Sequence, residues 1–288
     1  MLVGLTGIGG GSLMTPLLIL VLGVKPVVAI GADLAYGAVT KTVGGWRHMR
    51  QGTVDMRLSL WMASGSVPGA LAGVVAIERL HRTHGKAFDG TVLVVLGITL
   101  LVVAAAVIAR ALFMPNAAAR ERESAQLDRR GRGMAIGLGV ILGFILGFTS
   151  VGSGALIGLA FILVFKLTPH RVVGTDVFHA AILLWVAALA HLAAGNVDLG
   201  LTANILVGSV PGVWVGSGLI SRIPPAGMRA ALAAVLVAAA LAVLDKGGFG
   251  IPIAAILGAP ALVALIAFAL HRARPKPPAA KSRSKAAA

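Results

Sequence analysis

The sequence contains no cysteine, which excludes disulfides, thiol chemistry and cysteine-ligated metals. Charge is sparse too: 12% of the 288 residues are Asp, Glu, Lys or Arg, against roughly 25% in a soluble domain. A globule clothed in this sequence would expose apolar surface and aggregate, so its outer face must meet lipid. Acidic residues are the scarcer charge, 10 against 25 Lys and Arg, and no His/Asp/Glu constellation suits a metal. No metal and no cofactor are implied. No Gly-Lys-Ser/Thr follows a glycine cluster and no strand precedes one, which removes Walker and Rossmann phosphate loops. No basic stretch precedes the apolar N-terminus from Leu2 onward, so a cleaved signal peptide is not expected.

What the chain has in quantity is hydrophobic sequence, 58% of it, in Ala/Leu/Val/Gly-rich runs of about 20 residues, the length of a spanning helix. A transmembrane barrel would alternate over about 10 residues instead. The fold class is therefore all-α, a polytopic helical membrane protein of the bacterial cell inner membrane. Spans are expected near 58–78, 90–113, 200–220, 228–244 and 251–271, with 28–49 and 172–194 carrying polar residues. Two further apolar stretches, 1–22 and 134–166, are broken by glycine clusters. The formal charge is +15, yet Lys and Arg gather in short loops and in the tail from Arg272 to Lys285. No basic helix face is interleaved with aromatics. That is the positive-inside pattern of a membrane protein, with lipid and a small solute as partners and no nucleic acid.

The sequence also repeats itself. A shift of 143 positions lays GLTGIGGGSL from Gly4 on GFTSVGSGAL from Gly147, Gly31 and Asp33 on Gly174 and Asp176, and His48 on His191. GTVD (52–55) then meets GNVD (195–198), and GSVPG (65–69) meets GSVPG (208–212). About a third of positions 4–79 are identical to their partners, a register that shared composition does not produce. The division that follows is a first transmembrane repeat over 1–113, a polar cytoplasmic linker over 114–133 and a second repeat over 134–246. An additional C-terminal helix over 247–271 and a basic, disordered cytoplasmic tail over 272–288 complete it. A straight span through 134–166 would put the arginine-rich linker opposite the tail. A re-entrant hairpin there puts both on one side and satisfies the positive-inside rule better. The two repeats are then inverted in the membrane, each opening with a glycine-broken helix or hairpin. The loop with Arg79, Arg82 and Lys86 still violates the rule. The first copy also lacks the arm that Met134–Leu146 supplies in the second, so its start is expected further upstream.

The glycine clusters, Thr6, Gly7, Gly9, Gly10, Gly11 and Ser12 in one copy and Thr149, Ser150, Gly152, Ser153 and Gly154 in the other, are candidate substrate-binding residues. Irregular backbone at membrane depth survives only inside protein or against a water-filled cavity. There it leaves N–H groups and a half-helix N-terminus free for an anion. The competing reading is close helix packing through small residues. Asp33 and Asp176 begin polar spans as GADL and GTDV, either as coupling carboxylates or as helix caps at the interface. Lys41 stands mid-span where the second copy has Leu184; it either attracts an anion, pairs with Asp33 or meets water. His48, His191 and His179 are candidate proton carriers, with an interfacial role competing for His48. GTVD and GNVD read as turns, and Pro68 and Pro211 as helix breaks. An intramembrane serine hydrolase built on Ser153 and His179 or His191 fails on spacing, and Ser153 is replaced by Gly10 in the other copy. The chain is not expected to be an enzyme.

The opening Gly-x-x-Gly-x-Gly-Gly-Gly run with Pro16-Leu17-Leu18, the GADL at 31–34, Arg47-His48 followed by Gly52-x-Val54-Asp55, and Gly65-x-x-Pro68-Gly69 resemble the sulfite exporter TauE/SafE family. So does the weaker second copy, and together they cover roughly residues 1–245. The resemblance implies a secondary transporter of small sulfur-containing or organic anions, such as sulfite, sulfonates or sulfoacetate, with proton or ion coupling. A passive anion channel using the same pore is the alternative, and a scaffold that moves no solute is a third. The short first arm and the extra basic tail depart from the family pattern.

Overall fold

The computed structural model describes residues 11–85, 87–113, 122–220 and 225–273. They form ten α-helices: α1 (Gly11–Leu20), α2 (Pro26–Arg50), α3 (Met56–His84), α4 (Ala87–Phe113), α5 (Arg129–Thr149), α6 (Leu156–Leu163), α7 (Pro169–Ala193), α8 (Leu199–Ile220), α9 (Pro225–Leu244) and α10 (Ile253–Ala273). Five stretches within these helices and the turn after α9 are long and apolar enough to cross a membrane: Met56–His84, Phe88–Ala109, Arg129–Thr149, Pro169–Ala193 and Ala231–Phe249. Large apolar side chains such as Leu60, Val102, Ile141, Leu189 and Leu257 stand exposed around the bundle. In a bilayer those positions meet acyl chains, and the chain is a polytopic helical membrane protein.

The helix starts are written locally. Pro26 and Pro169 open α2 and α7 with a preset φ and no N–H to satisfy. Asp55 accepts the Leu58 N–H (3.1 Å) and caps α3, Asp128 accepts Gly131 N–H (2.7 Å) and caps α5, and Asp198 accepts Leu201 N–H (2.9 Å) at the start of α8. GTVD and GNVD are thus turns that end in caps, with Gly52 and Gly195 at positive φ. The boundary expected at 246/247 falls inside a π-helical turn, Asp245–Phe249.

Helix packing follows the small residues. Helices α3 and α5 run parallel along a seam of Gly65, Gly69 and Gly73 against Gly139, Gly143 and Gly147, each glycine facing the other helix's backbone. Removing every Cβ lets the two backbones approach closely, which is how helices associate in lipid. This corrects the reading of the GSVPG segments as helix breaks. Helix α3 runs unbroken through Pro68, and α8 through Pro211. In the first segment Gly65 and Gly69 serve close packing instead. Helices α2 and α7 cross antiparallel, with Gly37 against Leu184 and Gly45 against Phe178. Helix α4 packs antiparallel on α9 through Gly97 and Ala240.

At one end of the bundle Arg122 N–H donates to Lys166 O (2.8 Å) and Thr168 N–H donates to Arg122 O (3.0 Å). The chain therefore leaves through α5 and returns through α6 to the end it left. Helix α5 has 21 residues, about 31 Å at 1.5 Å per residue, so the outward arm is nearly a full span. The same end is tied by Ala125 N–H to Asp55 Oδ2 (2.8 Å) and by Arg171 to Val54 O (3.1 Å). At the opposite end Asn196 Nδ2 donates to Glu78 (2.8 Å) and Lys246 Nζ to Ile19 O (2.7 Å).

Candidate functional site

Between α5 and α6 the backbone leaves helical geometry within the bundle. Ser150 has φ 61°, Gly152 126° and Gly154 95°, and Thr149, Ser150 and Ser153 are buried. Thr149 serves its own helix end, donating to Ile145 O (2.7 Å) while accepting Val151 N–H (3.2 Å). The two ends of the break are held by two different carboxyl groups. Ser150 Oγ lies 2.9 Å from Asp33 Oδ2, and Gly154 N–H donates to Asp176 Oδ1 (3.1 Å). Thr15 of α1 completes the first contact, its Oγ1 2.7 Å from Asp33 Oδ2 and 2.6 Å from Ser150 Oγ. Lys41 completes the second, its Nζ 3.5 Å from Asp176 Oδ2.

Several expectations are corrected here. Asp33 and Asp176 do not cap α2 and α7 at an interface. They lie in the second turn of each helix, 1% and 6% exposed. Lys41 pairs with Asp176 rather than Asp33, because the antiparallel crossing of α2 and α7 brings residue 41 opposite 176. It is 9% exposed, so it does not stand in water. His179 and His191 are buried and held by polar contacts: His179 Nε2 lies against Ser66 Oγ (3.1 Å) and His191 Nε2 donates to Gly147 O (3.0 Å). His48 sits apart from them at the far end of α2 against Thr53 (3.0 Å). Gly11 opens α1, and Ser12 is buried with no partner for its hydroxyl among the described residues. Thr6, Gly7, Gly9 and Gly10 lie outside the described residues, as do the linker over 114–121 and the tail from 274.

The site therefore gathers Asp33, Ser150, Gly154, Asp176 and Lys41, and adds Thr15 and Ser66, which the sequence reading passed over. Thr15 aligns with Gly158 in the repeat, so no internal match marked it. Ser66 was hidden inside the GSVPG segment. No group of three or more His, Asp or Glu able to hold a metal occurs among the described residues. In chemical terms the arrangement offers one fixed ion pair, one hydroxyl-bound carboxyl group and a stretch of non-helical backbone between them.

Comparison with known proteins points to a membrane transporter. The chain is 38% identical over 240 residues to the probable membrane transporter protein YjnA of Bacillus subtilis, covering 83% of this chain and 93% of that one. It is 25% identical to the probable membrane transporter protein YdhB of the same organism over 80% of this chain and 90% of that one. A probable membrane transporter protein of Xylella fastidiosa is 26% identical over 76% of this chain and 80% of its own length. No solved structure matches the chain. The family model described as sulfite exporter TauE/SafE matches residues 1–243, and with the relatives above it settles the assignment: the chain is a membrane transporter protein of the sulfite exporter TauE/SafE family.

Proposed function

We propose that this chain is a secondary transporter that exports small sulfur-containing or organic anions, such as sulfite, sulfonates or sulfoacetate, across the bacterial inner membrane. The observation that carries the reading is the buried non-helical segment 150–154, strung between Asp33 and Asp176 beside the Lys41 ammonium. In this reading the N–H groups of Gly152 and Ser153 and the Lys41 charge hold the anion, and the two carboxyl groups couple its movement to an ion.

Alternating access requires two halves that rock against each other, and the reading assigns those halves to two inverted repeats. Support comes from a reciprocal contact. Gly31 faces the Asn196 carbonyl, and Gly174 faces the Thr53 carbonyl, the same contact with its partners exchanged by 143 positions. The antiparallel crossings of α2 with α7 and α4 with α9 are those an in-plane two-fold axis generates. The end carrying Arg47, Arg50, Arg57, Arg122, Arg129 and Arg171 is taken as cytoplasmic by the positive-inside rule, together with the tail. Cysteines placed at Arg122 and at Arg171 are then both expected to resist a membrane-impermeant maleimide in intact cells. Labelling at 122 without labelling at 171 would remove the hairpin.

Transport itself is tested in proteoliposomes across sulfite, thiosulfate, sulfonates and carboxylates. The expected result is saturable flux of at least one anion, dependent on pH and accompanied by stoichiometric counter-movement. Flux without either property would make the protein a channel, and no flux a scaffold. Gly152→Ala is the companion variant. Among the described residues an added Cβ meets only Leu156 Cδ1, at 3.6 Å, but a φ of 126° is unfavourable for any residue with a side chain. The break must then change its backbone, and flux per folded molecule is expected to fall at least tenfold. Unchanged flux at matched yield would separate the break from transport.

A further inference from the structure

Three oxygens meet around Asp33, and their separations limit how many protons they hold. Thr15 Oγ1 to Asp33 Oδ2 is 2.7 Å, Ser150 Oγ to Asp33 Oδ2 is 2.9 Å and Thr15 Oγ1 to Ser150 Oγ is 2.6 Å. All three lie within hydrogen-bond distance for oxygen pairs. Two hydroxyls supply two protons, and a closed triangle of hydrogen bonds needs three. With Asp33 ionised, one pair of oxygens must touch lone pair to lone pair at hydrogen-bond distance. With a proton on Oδ2 the triangle closes, each oxygen donating once and accepting once.

The rest of the environment points the same way. Asp33 is 1% exposed and its Oδ1 has no hydrogen-bond partner among the described residues. A bare, buried carboxylate oxygen is costly, whereas the carbonyl oxygen of a neutral carboxyl group loses far less. No cation pairs with Asp33 among the described residues. On its own helix the near group is Tyr36, with Ser209 of α8 beside it, while Lys41, about two turns further along, is engaged by Asp176. From α1 comes Thr15 and from the break Ser150, and neither is a base. A metal ion at the centre fits poorly. Oxygens that each stand roughly 2.3 Å or more from a shared ion are pushed farther apart than these hydrogen-bonded contacts.

We infer that Asp33 is a proton-binding site, held as the neutral acid in a closed ring with Thr15 and Ser150, while its repeat counterpart Asp176 is paired with Lys41. The inference deepens the transporter reading by making the coupling ion a proton and by giving the two equivalent carboxyl groups different tasks. When Asp33 releases its proton to water, its carboxylate keeps the negative charge. Two protons are then left for three contacts. The ring opens, and the tie between α1 and the break at Ser150 is the part that loosens.

Infrared spectroscopy of the full chain reconstituted in lipid tests this without any transported anion, so the result is independent of the substrate assignment. A protonated-carboxyl C=O band, sensitive to hydrogen–deuterium exchange, is expected at neutral pH and should disappear as the pH is raised. It should be absent in Asp33→Asn, a shape-matched mimic of the neutral acid, and retained in the Lys41→Met/Asp176→Asn double variant, which removes both members of the ion pair together. Thr15→Val should keep the band and shift its frequency, since the ring is cut while the carboxyl group remains. Exchange of choline for sodium should leave the band unchanged. Absence of the band in the wild type, its persistence in Asp33→Asn, or its removal by sodium would each overturn the proton site. A total lack of anion flux would instead sink the transporter reading and leave this one standing.

Discussion

Valine at Gly143 is expected to leave almost no folded protein in the membrane. A Cβ at that position runs into the Ser66 carbonyl and comes within 2.7 Å of the Ser66 Cα. Both belong to backbone, which has no rotamer by which to move aside. The α3–α5 seam must therefore open along its length, from Gly65 and Gly139 at one end to Gly73 and Gly147 at the other. In lipid this separation destroys van der Waals contact without any compensating burial, because acyl chains are as apolar as the side chains they replace. It also pulls Ser66 from His179 and shifts the end of α5, where the break begins. Fluorescence-detected size exclusion should show monodisperse yield reduced about tenfold or more. Gly137→Val, on the same helix but with nothing within 4 Å of its added Cβ, should express normally. Equal yields for the two variants would mean that the seam does not hold the bundle.

That seam marks what hydropathy can and cannot convey. Helix positions follow closely from the length of the runs: the expected spans 28–49 and 90–113 lie within α2 (26–50) and α4 (87–113), and 172–194 overruns α7 (169–193) by one residue. Run length sets depth in a membrane but says nothing about which face of a helix meets which neighbour. The four-residue spacing of Gly65, Gly69 and Gly73 is visible in the sequence, and so is that of Gly139, Gly143 and Gly147. Their mutual partnership is not, because it depends on two helices lying parallel although the matching glycines are 74 positions apart in the chain. The expectation of helix breaks at Pro68 and Pro211 fails for a related reason. A proline ring can be accommodated in a helix whose neighbours re-satisfy the freed backbone group. The site was half legible. Asp33, Asp176 and Gly154 stood out because the repeat marks them twice, and Ser150, which falls on Gly7, because it lies inside the matched glycine cluster. Thr15 did not, since the second copy has Gly158 there, and neither did the pairing of Lys41 with Asp176, since Lys41 falls on Leu184 and its partner depends on how α2 crosses α7.

The Lys41–Asp176 pair carries the second large effect. Lys41→Met removes the ammonium while keeping most of the side chain's length, and it strands a buried carboxylate whose other oxygen already holds Gly154 N–H. Breaking one partner of a buried pair costs about 3–5 kcal/mol, enough to lower the thermal midpoint sharply or to prevent folding. Asp176→Asn strands the ammonium and should do comparable harm. The double variant removes both charges at once, and its stability should recover most of the loss, giving a strongly non-additive cycle. It then isolates the transport question that neither single variant can address. If Lys41 attracts the anion, the folded double variant should bind it at least tenfold more weakly, the equivalent of about 1.4 kcal/mol. Lys41→Arg should fold and keep part of that affinity, with its wider planar charge set differently against Asp176. The measurement is the half-saturation concentration in proteoliposomes at fixed pH and salt, since an exposed charge is screened and a buried one much less so. A double variant that folds and keeps wild-type half-saturation would make Lys41 a structural counter-ion for Asp176 and remove it from the anion site.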